Sequence, residues 1–203
     1  VLVGAVAVCG VVGLGTLAVP DRTSTPAVPV IEPVASADLL CPITVATEAL
    51  VSTVSAGVAP VPGVAQGGAK LAALTAKADE PPKIVAEPGE VVTDRIEGES
   101  AAPRTARAVG SWAAGFGADQ VARSGEGATR GLAAAPCARP ITDGWILGGA
   151  STVGRTAQIL LVNDDDRAAQ VDLLVYGKAG EVVSPAGSGV VVPALSRSVV
   201  RLS

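Results

Sequence analysis

The sequence predicts a mainly β protein: an antiparallel, immunoglobulin-like β-sandwich preceded by one N-terminal transmembrane helix. Three observations predict it. Short Val-rich runs separated by Gly, Pro and Asp turns recur through the last third at roughly 8–12-residue spacing, as the strands of a sandwich do. Ala169, Val171, Leu173 and Val175 alternate with Gln170, Asp172, Leu174 and Tyr176, the period-two pattern of a half-buried strand. The chain also opens on a long apolar run without a charged side chain.

That run covers residues 1–19, from Val1 to Val19, and stops before Pro20-Asp21-Arg22. Nineteen residues at about 1.5 Å each span roughly 28 Å, close to the hydrocarbon thickness of a bilayer. The reading is an uncleaved anchor. A cleaved signal with Thr16-Leu17-Ala18 as its small-x-small site is the alternative, and Val8 before Cys9 speaks against a lipoprotein signal. Each of these sends the rest of the chain out of the cytoplasm. The string Gly13-Leu14-Gly15-Thr16-Leu17-Ala18 imitates a dinucleotide fingerprint, but Pro20 follows where a helix would have to hold the pyrophosphate. Ala5, Cys9 and Gly13 stand four apart, the spacing of a helix-packing face, although small residues are simply common in such segments.

Residues 20–37 carry Pro20, Pro26, Pro29 and Pro33 and read as an extended stalk. The body is then residues 38–203. Within it, residues 56–90 are rich in Pro and Gly and are expected to be low in complexity and partly flexible, with residues 69–78 a short helix or a strand. Strands are expected over residues 90–96, 105–109, 111–116, 145–147, 157–162, 169–176, 181–183, 190–192 and 197–202. The sandwich is expected to be incomplete, or to borrow strands from residues 84–116. Cys41 and Cys137, an even pair in an extracytoplasmic chain, read first as a structural disulfide, the alternative being two buried free thiols. Such a bridge would matter, because aromatics are only 2% of the chain and offer little large side-chain area to bury.

The chain has no His, which removes the commonest general base, the commonest transition-metal ligand and every Ser-His or Cys-His nucleophile. A net charge of −4 argues against nucleic-acid binding. Asp164, Asp165 and Asp166 form the densest acidic cluster and invite a cation. Calcium loops, however, alternate ligands with spacers and a turning Gly, so a polar hairpin loop is the preferred reading. Glu97, Glu99 and Glu126 supply carboxylates for glycoside chemistry, but without a cleft of aromatic platforms. No Gly-x-Ser-x-Gly elbow and no Ser-x-x-Lys motif occurs. Trp145, in Asp143-Gly144-Trp145-Ile146-Leu147-Gly148-Gly149, is expected at the packing centre of the sandwich; the competing reading is an exposed ring that stacks on a sugar or a partner protein. No catalytic residue, metal site or cofactor is assigned.

Several strings together resemble one family. They are Cys41-Pro42; Arg130-Gly131-Leu132-Ala133-Ala134-Ala135-Pro136-Cys137-Ala138-Arg139-Pro140; Gly144-Trp145-Ile146-Leu147-Gly148-Gly149; Leu160-Leu161-Val162-Asn163; Val175-Tyr176-Gly177; Gly180; and Val191-Val192-Pro193. The chain resembles the actinobacterial domain-of-unknown-function 5719 family over most of its body. The resemblance implies a single-pass or secreted envelope protein with no established activity, cofactor or catalytic residue. The excess of Arg (11) over Lys (4), with abundant Ala, Val, Gly and Pro, fits a GC-rich source. The functional reading is therefore a membrane-anchored extracytoplasmic protein with a binding or structural role. Its partners would be the membrane through residues 1–19, and envelope polysaccharide or another envelope protein, with Trp145, Asp164, Asp165 and Asp166 as the candidate surface. A carboxylate-dependent hydrolase or transferase using Glu97, Glu99 or the Asp164–Asp166 acids is one alternative. An accessory membrane subunit acting through its helix is the other.

Overall fold

The structure, a computed structural model, describes residues 34–41, 50–60, 66–75, 80–97, 102–127, 130–149 and 157–202. All lie in the second of two compact units, Pro33–Ser203. The predicted anchor at residues 1–19 and most of the stalk lie outside the described residues, and among those described no helix is long and apolar enough to cross a membrane.

The fold is mainly β and antiparallel. Eight strands build two four-stranded sheets: β1 (Ser36–Cys41), β2 (Leu50–Val58), β3 (Gly67–Ala73), β4 (Lys83–Val85), β5 (Val91–Glu97), β6 (Arg104–Gly110), β7 (Phe116–Ser124) and β8 (Gly131–Pro136). The first sheet runs β1-β6-β3-β4 and the second β5-β2-β7-β8. They pack face to face, since Cys41, Leu71 and Ala106 of the first share one core cluster with Val54, Ala56 and Ile96 of the second. The order differs from the immunoglobulin constant-type arrangement, in which the first, second, fifth and fourth strands form one sheet. Here β2 lies between β5 and β7 in one sheet, while β6 lies between β1 and β3 in the other.

The sandwich also sits earlier in the chain than its sequence signal. Ser36 and Ala37, read as the end of the stalk, open β1. The span read as low in complexity contributes the end of β2 together with β3 and β4, and its core of Ala69, Leu71 and Val85 is buried. Of residues 111–116, expected as a strand, 111–115 instead form a turn and a short 3-10 turn, Ala113–Gly115, and only Phe116 is in a strand, as the first residue of β7. This turn folds Trp112 back over Gly67, where any Cβ would overlap the indole. Trp112 closes one end of the core against Val58, Ala69, Val85 and Ala108. The packing tryptophan is therefore Trp112, not Trp145, because Trp145 follows the last sandwich strand on a segment without regular structure and is 81% exposed.

After that segment come β9 (Ala157–Asn163), β10 (Ala169–Val171), β11 (Val175–Gly177), β12 (Gly180–Val182), β13 (Val190–Val192) and β14 (Ser196–Leu202). They pair as β9 with β14, β10 with β13 and β11 with β12. The single strand expected over residues 169–176 is split: residues 172–174 leave the ladder, and the Leu173 N–H donates to the Gly187 carbonyl at 2.7 Å. Only Val192 and Val200 are fully buried hydrophobic side chains in these six strands.

Candidate functional site

Two features hold the sandwich together, and a third faces outward. The first is at the open edge. Leu40 of β1 and Ala138 exchange both backbone hydrogen bonds, at 2.8 and 3.1 Å. In an antiparallel ladder the neighbouring pair is then not hydrogen-bonded and brings its Cα atoms within about 4.5 Å. That pair is Cys41 and Cys137, whose Cα atoms stand 4.5 Å apart and whose sulfurs are bonded. The bridge joins β1, at the edge of the first sheet, to the residue after β8, at the edge of the second. Pro140 has no N–H for the next hydrogen-bonded position, opposite Asp38, so the pairing cannot continue. Both cysteines are buried.

The second is a charge cluster that the sequence did not flag. Asp94 points inward from β5, where Arg104 at the start of β6 meets it with Nε at 2.6 Å and Lys83 of β4 with Nζ at 3.2 Å. Arg104 also donates through Nη1 to the Ala102 carbonyl at 2.9 Å and through Nη2 to Glu80 at 3.3 Å. Asp94 and Arg104 are both buried, and the pair links the two sheets. Burial pushes the Asp94 carboxyl up, but hydrogen bonds and charge from Arg104 and then Lys83 outweigh it and hold the group below its ordinary value. With three guanidinium nitrogens committed, the cluster acts as a clasp. A lone Asp at an apolar-patterned strand position would have been the only sequence signal for it, and its partner lies ten residues away across the sandwich.

The outward features are those that the sequence singled out. The Trp145 and Tyr176 rings pack at 5.7 Å between centroids, tilted by 39°, which ties the segment after the sandwich to β11. Ile141, Ile146 and Leu147 on the same segment as Trp145, and Leu174 just before β11, are also exposed. Asp164, Asp165 and Asp166 occupy the connection from β9 to β10. Those strands pair with β14 and β13 respectively, so this is a crossover between sheets and not the expected hairpin. Buried Asn163 organises it: its Nδ2 donates to the Arg167, Val192 and Pro193 carbonyls, and its Oδ1 accepts from the Asp165 N–H at 3.0 Å. A hydrogen bond from Asp166 holds the Asp165 carboxyl below its ordinary value, and the same bond raises Asp166. Among the described residues no three acidic, His or Cys side chains converge to hold a metal. Glu97 pairs with Arg95 at 2.7 Å on the outer face of β5, Glu126 lies exposed on the turn after β7, and Glu99 is outside the described residues.

A family model, a family of unknown function (DUF5719), matches residues 91–203, more than half of the chain. The chain belongs to this family. The DUF5719 match begins at β5, so it takes in the inner Asp94, Cys137, the Trp145–Tyr176 pair and the β9–β10 crossover, but not β1 to β4. No curated protein and no solved structure matches the chain.

Proposed function

We propose that this member of the DUF5719 family is a non-enzymatic, extracytoplasmic protein of an actinobacterial cell envelope, held at the membrane by residues 1–19, with a binding or structural role. The observation that carries the reading is the Cys41–Cys137 bridge. It joins the edges of two sheets whose interior is lined largely by Ala and Val, and such staples form and persist in oxidising compartments. The uncharged opening run supplies the export signal, and the stalk supplies reach. A role in binding envelope polysaccharide or another envelope protein draws support from the exposed apolar side chains around Trp145 and Tyr176, since large exposed apolar patches mark interaction sites. The carboxylate-hydrolase reading has less to stand on, because Glu97 is taken up by Arg95 and the Asp164–Asp166 acids lie on an open crossover.

Fractionation combined with thiol labelling tests this. The native full-length protein is expected in the membrane fraction, with Cys41 and Cys137 resistant to maleimide after denaturation until a reductant is added. Recovery in the cytosol with both thiols free would overturn the reading.

A further inference from the structure

The outer face of the second sheet contains a notch that the fold alone does not require. Gly57 of β2 and Gly117 of β7 are directly opposite each other, so two adjacent outward positions lack side chains. Gly57 has a packing reason: a Cβ there would lie 2.8 Å from the Glu90 carbonyl oxygen. Gly117 has none. A Cβ at Gly117 would meet nothing within 4 Å, and its φ is not positive. Glycine inside a strand costs stability and often marks the close approach of a ligand or another backbone. At Gly117 no backbone approaches among the described residues.

The notch is the floor of a cleft of about 350 Å³, within the range of small-molecule sites. One wall is polar. Ser55 and Asp119, the next outward pair along the same two strands, line it side by side. Among the described residues neither the Asp119 carboxylate nor the Ser55 hydroxyl has a hydrogen-bond or ion-pair partner. The other wall is apolar, formed by Pro60 and by Val91, which is 61% exposed.

We propose that this cleft binds one sugar ring of a neutral glycan. The Asp119 carboxylate accepts hydrogen bonds from ring hydroxyls, and the Ser55 hydroxyl both donates and accepts. Pro60 and Val91 pack against the C–H face of the ring, and the bare backbone at Gly117 gives the ring room to sit down on the sheet. A free amine would use Asp119 alone, and an exposed ion pair is worth only about 0–1 kcal/mol. A carboxylated sugar would meet like charge at Asp119. The proposal rests on the envelope reading only for the source of the glycan.

Titration calorimetry of the full chain tests it with oligosaccharides of glucose, mannose, galactose and arabinose, and with a galacturonate oligomer of matched length. Binding to at least one neutral series is expected, with Gly117→Val and Asp119→Asn each weakening it about tenfold or more and Lys178→Ala, on the exposed turn between β11 and β12, leaving it unchanged. Because Val suits a strand and a Cβ here meets nothing within 4 Å among the described residues, the Gly117→Val protein should melt no lower than wild type. The proposal fails if no neutral oligosaccharide binds, if both variants bind as wild type does, or if galacturonate binds equally well. Fractionation decides the envelope reading separately, so the two can fail independently.

Discussion

Two residues of the same type sort out what burial means here. Trp112 is 7% exposed and Trp145 81% exposed, yet each follows or precedes glycines and apolar neighbours in the sequence. Only the turn between β6 and β7 decides that Trp112 folds over Gly67, and no local pattern announces that turn. Trp112→Ala should therefore cost about 3–5 kcal/mol of stability, whereas Trp145→Ala should stay within about 0.5 kcal/mol; urea denaturation of both variants checks the contrast. Arg104 makes the second residue-scale case. Arg104→Met leaves Asp94 buried with only Lys83, a loss of about 3–5 kcal/mol. Adding Asp94→Leu should recover most of that loss, since replacing a buried pair by apolar residues is often close to neutral. A double variant no more stable than the single one would show that the pair itself supplies the stability.

At the scale of elements, legibility followed the contrast between inward and outward side chains. Strands β9 and β13 were readable because they are runs of Val, Leu and Ile ended by Asn or Pro. Strand β2 was not: Ser52 faces in while Val51 is only partly covered, so its apolar alternation is scrambled although its burial alternates. Strand β7 puts Gln120 and Ser124 inward among Phe116, Ala118 and Ala122. Strand β8 reads Gly-Leu-Ala-Ala-Ala-Pro, a composition that favours helix, and every residue in it is exposed. These weak strands are held by the ladder β5-β2-β7-β8, in which each pairs with its neighbour, and by the bridge that pins the end of β8 to β1. A Cys41→Ala/Cys137→Ala variant should lose about 2–5 kcal/mol, and its melting temperature should no longer respond to reductant. A wild-type protein equally stable with and without reductant would show that the sheets need no staple.

For the molecule as a whole, the inter-sheet clasp predicts an acid response. The Asp94 carboxyl sits below its ordinary value in the folded state, so its contribution is complete above the pKa it has when unfolded. As pH falls from there through the lowered folded value, the unfolded chain takes up a proton that the folded one refuses, and the contribution is lost. Stability measured from pH 7 downward should fall over that acidic window, and the decline should be shallower in the Asp94→Leu/Arg104→Met variant. The sequence by itself determined the β class, the antiparallel turn-rich last third, the family and the cysteine pair, because composition, period and short strings are local properties. Tertiary structure decided where the sandwich lies, which tryptophan packs it, how Asp94 is neutralised and which glycines leave a cleft. Each of those depends on residues brought together across sheets, and small side chains such as Ala and Gly leave almost no one-dimensional trace of which way they face.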